Sequence, residues 1–277
     1  MRKAEQNLNV THICQLFNVP VSSYYYQPVD NQSDVVYREQ LKTIHHENLE
    51  AYGRRRMKVA LADNGVNMGV FKISRLMREA DIVAKIPKKP HYYPSGKQKP
   101  DIPNILKRQF NPSQVNTHWV GDITYVRNHH GWSYLATVLD LGSREIIGYA
   151  LSQAPDAQLA RQALIEAVKA QQPDTSRLMF HSDQGVQYSA SLFKETLSLH
   201  GITQSMSRRG NCWDNAVQER FFRSLKSEYL NALSFINHQS VVSAVDYYIR
   251  YYNNKRINSA IGNIAPALKR QMLLNAA

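Results

Sequence analysis

Several short helices are predicted before residue 82, because apolar residues recur there every three or four positions. The clearest pair is Arg54–Asp63 and Val70–Ala80, which the turn signal Asn64-Gly65 separates. The second helix has a basic face opposite its apolar stripe, formed by Lys72, Arg75 and Arg78. Two helices joined by a short glycine-containing turn are typical of a helix-turn-helix, and the basic face indicates DNA contact. The alternative is a small helical bundle whose basic face is only solvated.

The stretch 83–116 keeps neither a helical nor a strand-like period. It holds six of the eleven prolines of the chain, and between them stand five lysines: Lys85, Lys88, Lys89, Lys97 and Lys99. This composition predicts an extended basic linker, because proline interrupts both helices and sheet ladders. The linker either lies along a DNA backbone, with His91, Tyr92 and Tyr93 nearby, or is a plain tether.

From residue 117 the pattern becomes that of an α/β domain. Three strands across short turns predict an antiparallel meander, over 118–127, 132–140 and 145–152. The next predicted elements are a helix over 156–170, a strand over 177–181, a helix over 191–199 and a strand over 202–205. Asp214 or Asn215 is predicted to cap a helix that runs to about residue 230. The last predicted helices are Val241–Tyr252 and a short one that Pro266 opens.

The chain carries a formal net charge of +12 over 277 residues. Residues 1–110 hold 18 Lys and Arg against 10 Asp and Glu, so most of the excess lies there. Lys and Arg release counterions when they neutralise phosphates, which favours a polyanionic partner. Charge that serves only solubility is the alternative reading.

No apolar run approaches the roughly 18 residues of a membrane span. The first residues have no apolar signal-peptide core, so we expect a cytoplasmic protein. The two cysteines, Cys14 and Cys212, belong to no Cys-x-x-Cys motif, and we interpret both as ordinary thiols.

Three acids occupy positions that suit a shared site. Asp122 interrupts an otherwise apolar strand, where a lone carboxylate is unfavourable unless it is paired or bound to a metal. Asp183 follows the end of a strand, and Glu219 lies on a helix. The residues at −4, +4 and +7 from Glu219 share its helix face, and they are Asn215, Arg223 and Lys226.

Converging carboxylates repel one another, and a hard divalent cation with oxygen ligands relieves that repulsion, so Mg²⁺ is the predicted metal. Two such ions can hold the attacking and leaving oxygens of a phosphoryl displacement. Arg223 and Lys226 could then bind DNA phosphates beside the metals. A capping Asp or a solvated Glu is the alternative for any one acid taken alone.

The motifs around these acids resemble the DDE integrase core of retroviral integrases and bacterial insertion-sequence transposases. The matching residues are Trp119-x-x-Asp122-x-Thr124-Tyr125, His181-Ser-Asp183-x-Gly185-x-Gln187-Tyr188, Ser205-Met-Ser207, Asn211-x-x-Asp214-Asn215-Ala216-x-x-Glu219 and Lys226. As in that family, 35 residues separate Asp183 from Glu219. The chain is most similar to the second-frame (OrfB type) product of insertion sequences with two reading frames. It departs from the pattern at Asn258, where the family usually has His.

The resemblance implies an α/β fold with a ribonuclease-H-like core, a mixed five-stranded sheet flanked by helices. It also implies an N-terminal helical domain of the helix-turn-helix type. We expect this division: 1–82 for the DNA-binding region, 83–116 for the linker, 117–232 for the catalytic core and 233–277 for a C-terminal helical extension.

The implied activity is cleavage at insertion-sequence ends followed by strand transfer. Asp122, Asp183 and Glu219 would hold two Mg²⁺ ions, which Mn²⁺ can replace, and no covalent protein–DNA intermediate is needed. DNA contacts are predicted for nine residues: Lys226, Arg223, Asn215, Arg54, Arg55, Lys72, Arg75, Arg78 and Arg256.

The expected partners are element-end and target DNA, further copies of the chain on that DNA, and a first-frame product that is fused to the chain or assists it. The chain begins at its own Met and has no heptad run, which favours such a partner.

Two alternatives stay open. A ribonuclease-H-like nuclease would cut without joining, and a non-catalytic regulatory subunit would only bind DNA.

Overall fold

The computed structural model describes residues 9–26, 32–86, 102–207 and 212–276, without the side chains of 212 and 213. Residues 87–101 of the predicted linker and most of the predicted polar loop 207–211 therefore lie outside the described residues. Within the described part of the chain, no helix combines the length and apolar character that would let it cross a membrane.

Five helices form the N-terminal region. They are α1 (Val10–Leu16), α2 (Val21–Tyr24), α3 (Gln32–Glu47), α4 (Arg54–Asp63) and α5 (Val70–Glu79). Helices α4 and α5 are the predicted pair, and Gly65 in their connection has φ +79°, a conformation that glycine adopts without strain. The buried faces of α3, α4 and α5 form one apolar cluster around Leu41, Met57 and Ile73. Ile257, from far along the chain, completes that cluster.

The core contains one mixed sheet of five strands in the order β3-β2-β1-β4-β5. The strands are β1 (His118–Asn128), β2 (Gly131–Asp140), β3 (Ile146–Ser152), β4 (Met179–Ser182) and β5 (Thr203–Met206). Strands β1 to β3 form the predicted antiparallel meander, while β4 and β5 run parallel to β1. The predicted α/β fold with a mixed five-stranded sheet flanked by helices is confirmed.

Helices cover both faces of the sheet. On one face lie α6 (Ala157–Gln171) and α8 (Ser191–Leu199), packed through Leu159, Leu164 and Phe193. On the other lie α9 (Ala216–Glu228) and α10 (His238–Asn254), which bury Phe221, Leu225, Val245 and other apolar residues. The chain also forms α7 (Val186–Ser189), which the pattern did not predict, and α11 (Pro266–Asn275).

The described end of the predicted linker differs from an extended tether. Residues 102–116 form no helix or strand, yet Leu106 is buried in the core. The Ser205 hydroxyl accepts hydrogen bonds from the backbone N–H groups of Ile105 (2.9 Å) and Leu106 (3.2 Å). This stretch is therefore part of the folded core, because apolar contacts of Ile102, Leu106 and Phe110 and backbone hydrogen bonds hold it without regular structure.

Candidate active site

Asp122 and Asp183 lie on neighbouring parallel strands at the point where the shorter strand ends. In the register of β1 and β4, Val120 is opposite His181. Asp122 is two residues beyond Val120 in β1, and Asp183 is two residues beyond His181, just past the end of β4. Adjacent strands are about 4.8 Å apart, so the topology brings the two carboxylates together. Because β4 ends at Ser182, no described strand pairs with this edge of β1 beyond that point, and it is called the open edge of β1.

The approach of the two strands depends on Gly121. A Cβ atom at that position would lie 2.3 Å from the ring of Phe180 on β4, much closer than any stable contact. Any larger residue would have to displace that buried ring, so glycine at this position allows β1 and β4 to pack closely beside the two acids.

Each of these carboxylates is oriented by one short backbone hydrogen bond. Asp122 Oδ1 accepts from the N–H of Ile123 at 2.8 Å, and Asp183 Oδ1 accepts from the N–H of Gly185 at 2.9 Å. A Cβ on Gly185 would lie 2.9 Å from that same oxygen, so glycine suits this turn. Among the described residues the second oxygen of each carboxylate has no hydrogen-bond donor, which leaves it available to a ligand.

His181 stabilises the strand end as a neutral residue. Its ring nitrogens lie 2.8 Å from Ser205 Oγ and 3.1 Å from Ser207 Oγ, and burial lowers the pKa of His181 to about 4. A neutral imidazole with both nitrogens occupied is a structural element rather than a proton carrier. It ties β4 to β5 directly before Asp183.

Glu219 enters from α9, the helix on the other side of the site. The neighbouring Gln218 is fully buried and donates a hydrogen bond from its amide to the Thr137 hydroxyl on β2. This bond anchors the first turn of α9 to the sheet and leaves the exposed Glu219 side chain free to turn towards Asp122 and Asp183.

The electrostatics indicate three acids that influence one another. Burial is the main cause that raises the pKa of Asp122 well above its ordinary value, and the charges of Asp183 and Glu219 raise it further. Burial likewise raises the pKa of Asp183. The pKa of Glu219 is raised by partial burial and by Asp183, although Arg223 opposes the shift. Each acid is therefore harder to ionise than a free carboxylic acid, and a bound cation would favour its ionised form.

Two cations lie beside this negative charge. Partial burial lowers the pKa of Lys226, an effect that the charge of Asp122 opposes. The Lys226 ammonium group stands 4.7 Å from the ring centre of Tyr125, which lies on the open edge of β1. Arg223 is exposed on the same helix. Both side chains could reach the phosphates of a DNA strand bound at Asp122.

The donor set suits a hard divalent cation, with one reservation in the geometry. Mg²⁺ prefers oxygen ligands such as carboxylates, and one oxygen each of Asp122 and Asp183 accepts no hydrogen bond from the described residues. Within the described ranges, however, no group of three or more His, Cys, Asp or Glu is arranged to hold a metal ion. Asp122 and Asp183 adjoin on neighbouring strands, and the Glu219 side chain would have to move to complete a site of three acids.

The predicted DNA contacts of the helical domain divide into two groups. Arg54, Arg55 and Arg78 are exposed. By contrast, Lys72 and Arg75 bind the buried carboxylate of Asp34 on α3, at 2.7 and 2.6 Å. These bonds join α3 to α5 through a buried acid, and DNA contact by Lys72 and Arg75, whose side chains stay 39% and 50% exposed, remains a prediction.

The structure corrects the predictions for Arg256 and Asn215. Arg256 is buried and forms two bonds to Glu228, from Nε at 2.7 Å and from Nη2 at 2.6 Å. Asn215 is buried beside the start of α9. Neither side chain has an exposed surface that could contact DNA in this structure.

Asp214 differs from its predicted role as a helix cap. Its carboxylate is buried and binds Arg108 Nε at 2.7 Å and the Asn104 amide at 2.8 Å, both from the stretch before the core. Asn215 takes the cap position of α9 without a side-chain hydrogen bond. Asp214 therefore fastens residues 102–116 to the entrance of α9.

Reasoning from the sequence missed two residues of the site, Gln218 and Gly121, and gave Tyr188 no role beyond its place in a motif. The buried ring of Tyr188 has its pKa raised first by burial and then by the charges of Asp122 and Asp183, so it lies close to both. An available signal was the polar Gln218 on the apolar face of α9, since a buried amide needs a partner. Nothing local marked Gly121, because the atom it avoids belongs to another strand.

Comparison with known proteins found three matching domain families, and the expected domain bounds stay a prediction. The integrase core domain family matches residues 112–212 and a second integrase core domain family matches residues 200–266, while an HTH-like domain family matches residues 34–90.

Similar proteins are found among insertion elements. A 31 kDa protein of insertion element IS600 from Shigella sonnei is 37% identical, with 94% of this chain and 97% of the relative covered. The transposase for insertion sequence element IS904 from Lactococcus lactis is 33% identical, with 82% of this chain and 90% of the relative covered. Among solved structures, the integrase catalytic core domain of HTLV-2 is similar over 57% of this chain and 97% of its own, at 14% identity and a TM-score of 0.46.

Proposed function

Since the chain belongs to the insertion-sequence transposases with an integrase core domain, we propose that it cleaves DNA at the ends of an insertion element and transfers the freed strands to a second DNA. The observation that carries this proposal is the pairing of Asp122 and Asp183 at the end of β4, beside an open strand edge. A structural acid would have its charge neutralised, whereas these two have raised pKa values and free oxygens.

Asp122, Asp183 and Glu219 would together hold Mg²⁺. When bound, such ions act as Lewis acids towards the phosphoryl group and stabilise the charge on the attacking and leaving oxygens of the displacement. The residues of the chain prepare this step. The N–H groups of Ile123 and Gly185 orient two carboxylates, and Gln218 fixes the helix from which Glu219 reaches them.

The cations would position the substrate. Lys226 and Arg223 would bind the phosphates on either side of the bond that breaks, since both project from α9 beside the acids. In the first step water would attack a phosphodiester and leave a 3′-hydroxyl. In the second step that hydroxyl would attack a phosphodiester of the target, so that one bond forms as another breaks and no protein nucleophile is required.

The helical domain would bring DNA to this site. Arg54, Arg55 and Arg78 are its exposed predicted contacts, and the domain carries the helix-turn-helix pattern. Two element ends must be handled in one reaction, so we infer that at least two copies act together, alone or with a first-frame product. Because its substrate is DNA, we place its action at the bacterial nucleoid.

The test is strand transfer in vitro with labelled DNA that carries the ends of the encoding insertion element. The protein, with and without the upstream frame product, would be compared with Glu219→Gln in the presence of Mg²⁺. We expect joined products to fall by about a thousandfold or more in Glu219→Gln, because several kcal/mol of transition-state stabilisation are lost. Glu195→Gln, the same change at an exposed position on α8, is the matched control and should retain full activity.

Other results would favour the alternatives. Cleavage without joining, even with the upstream product present, would identify a nuclease. Binding without any metal-dependent cleavage would identify a regulatory subunit. Joining that survives Glu219→Gln would contradict the site described above.

A further inference from the structure

An open cavity of about 450 Å³ lies at the tip of the β1–β2 hairpin, away from the three acids. Its walls come from the hairpin, from the end of β3 and from the first residues of α10. Its lining includes His130, Trp132, Gln153, Asn237, His238 and Gln239. No part of the proposed reaction uses this cavity, although it shares strand β1 with Asp122.

Trp132 supplies an exposed aromatic wall. It is 43% exposed, and Arg127 lies over its ring at 5.6 Å from the centre. The edge of Tyr125, itself 56% exposed, meets Trp132 at a centroid distance of 5.1 Å and an angle of 88°. Large aromatic rings that stay exposed together are typical of a binding surface. Each ring is accompanied by a cation, which favours a ligand with both flat bases and phosphates.

The amino terminus of α10 supplies a place for an anion. Asn237 caps this helix of 17 residues, and its side chain accepts the N–H of Ser240. The N–H groups of His238 and Gln239, in the first turn, have no acceptor among the described residues. Unpaired N–H groups and the helix dipole make such a terminus suitable for phosphate. Here the terminus opens into the same cavity as the indole ring.

The remaining polar groups are amides and imidazoles, which can form hydrogen bonds with a ligand. His238 uses Nδ1 towards Ser133 Oγ at 2.9 Å, which leaves Nε2 for a ligand. The amides of Gln153 and Gln239 have no partner within the described chain. Amides and imidazoles match the edges of nucleobases, and the cavity has no carboxylate that would repel a phosphate.

We propose that this cavity binds one unpaired nucleotide of a DNA strand whose backbone passes the three acids. Its base stacks on Trp132, its phosphate lies at the start of α10, and Gln153 and Gln239 contact the base edge. This inference rests on the proposed function. Asn128 is six residues along β1 from Asp122, about 20 Å at 3.3 Å per residue, and Tyr125 lies between them. A DNA strand that runs along this edge of β1 would contact Lys226, Tyr125 and Trp132 in turn.

The experiment measures binding without divalent ions, so that no cleavage occurs. The full chain is titrated into two element-end DNAs, one blunt and one with a three-nucleotide overhang that contains 2-aminopurine, whose fluorescence reports stacking. We expect Trp132→Ala to weaken overhang binding about tenfold and to remove the fluorescence change, since one base–aromatic stack is lost. Blunt-duplex binding should change little.

Further variants separate the cavity from general effects on folding. Trp132→Phe keeps a ring and should stay within about threefold of the wild type for the overhang, and Gln239→Ala should weaken the overhang alone. Leu199→Ala, which removes an exposed apolar side chain on α8, is the control that should change neither substrate.

The outcomes distinguish this inference from the proposed function. Equal overhang binding by Trp132→Ala and the wild type would overturn the cavity's role, even if the protein joins DNA normally. A free deoxynucleoside monophosphate that binds as tightly as the overhang would overturn the assignment to a DNA strand. Failure of the wild type to bind either DNA would overturn the proposed function itself.

Discussion

Helix α9 carries two glutamates, nine residues apart, in opposite surroundings. Glu219 in the first turn is exposed, and partial burial and Asp183 raise its pKa. Glu228 in the last turn is buried, and burial alone would raise its pKa, but Arg256, Arg56 and Tyr248 outweigh that effect and lower it. The more deeply buried acid is thus the one that ionises more readily.

The difference shows that partners, rather than depth, decide what a carboxylate does in this protein. Glu228 receives two bonds from Arg256 and one from Tyr248 at 2.8 Å, and Arg56 of the helical domain approaches to 3.5 Å. It therefore joins the end of α9 to α10 and to α4. At the other end of the helix, Glu219 forms no ion pair among the described residues, and a bound cation would offset the rise in its pKa.

The same substitution at both positions tests this contrast most strongly. Glu228→Gln should lower the free energy of unfolding by about 3–5 kcal/mol, because the buried Arg256 loses its counterion. Glu219→Gln should change that free energy by less than about 0.5 kcal/mol while it abolishes strand transfer. Urea unfolding followed by circular dichroism, beside the activity assay, measures both. Equal losses of stability in the two variants would refute the contrast.

Tyr248→Phe gives the next largest effect. It removes one hydroxyl donor from Glu228 and leaves Arg256 in place, so we expect a loss of about 1.5–3 kcal/mol in urea unfolding. Tyr247→Phe, the neighbouring and more exposed tyrosine on α10, is the matched control. A loss as large as that in Glu228→Gln would mean that the hydroxyl, rather than the arginine, holds the glutamate.

The pH dependence of stability separates the two acid environments further. The pKa of Asp122 is raised in the folded state, so folding stability falls as pH rises from the unfolded pKa of about 3.9 through the folded value. Asp122→Asn should remove that fall and raise the melting temperature at pH 7.5 by about 2–4 °C in buffer with a chelator. At pH 4 the two proteins should melt nearly alike.

Glu228 should give the opposite slope. Its pKa is lowered, so the stability it contributes is present above its unfolded pKa of about 4.3 and is lost as pH falls through the folded value. Scans of melting temperature from pH 3 to pH 8 on wild type, Asp122→Asn and Glu228→Gln would resolve both slopes. A wild-type curve that matches Asp122→Asn at every pH would contradict the raised pKa of Asp122.

Arg56→Ala should have the smallest effect. Its guanidinium lies 3.5 Å from Glu228 and is partly exposed, so we expect a loss below about 1 kcal/mol in urea unfolding. Its position between the helical domain and α9 makes a larger loss informative, since that would show that the two regions unfold together. Arg55→Ala, an exposed neighbour on α4, serves as the control.

Local sequence determined most of the elements. The 3.6-residue period predicted α4 and α5 to within a residue, and strand alternation with short turns predicted the β1–β3 meander, because both signals depend on neighbours along the chain. The three acids were likewise found from the sequence, because an acid in an apolar strand or at a strand end is locally conspicuous. Their catalytic role stays a prediction, although the structure places Asp122 and Asp183 on adjoining strands.

Only the tertiary structure decided which charges are neutralised. Arg256, Lys72 and Asp214 looked like surface or capping residues, yet each is bound to a partner from a distant part of the chain. Tyr52 and Ile257, 205 residues apart, join through a 2.8 Å hydrogen bond that no local pattern could indicate. The physical reason is that periodicity records which face of an element is buried, whereas the partner of a polar group depends on which elements the fold brings together.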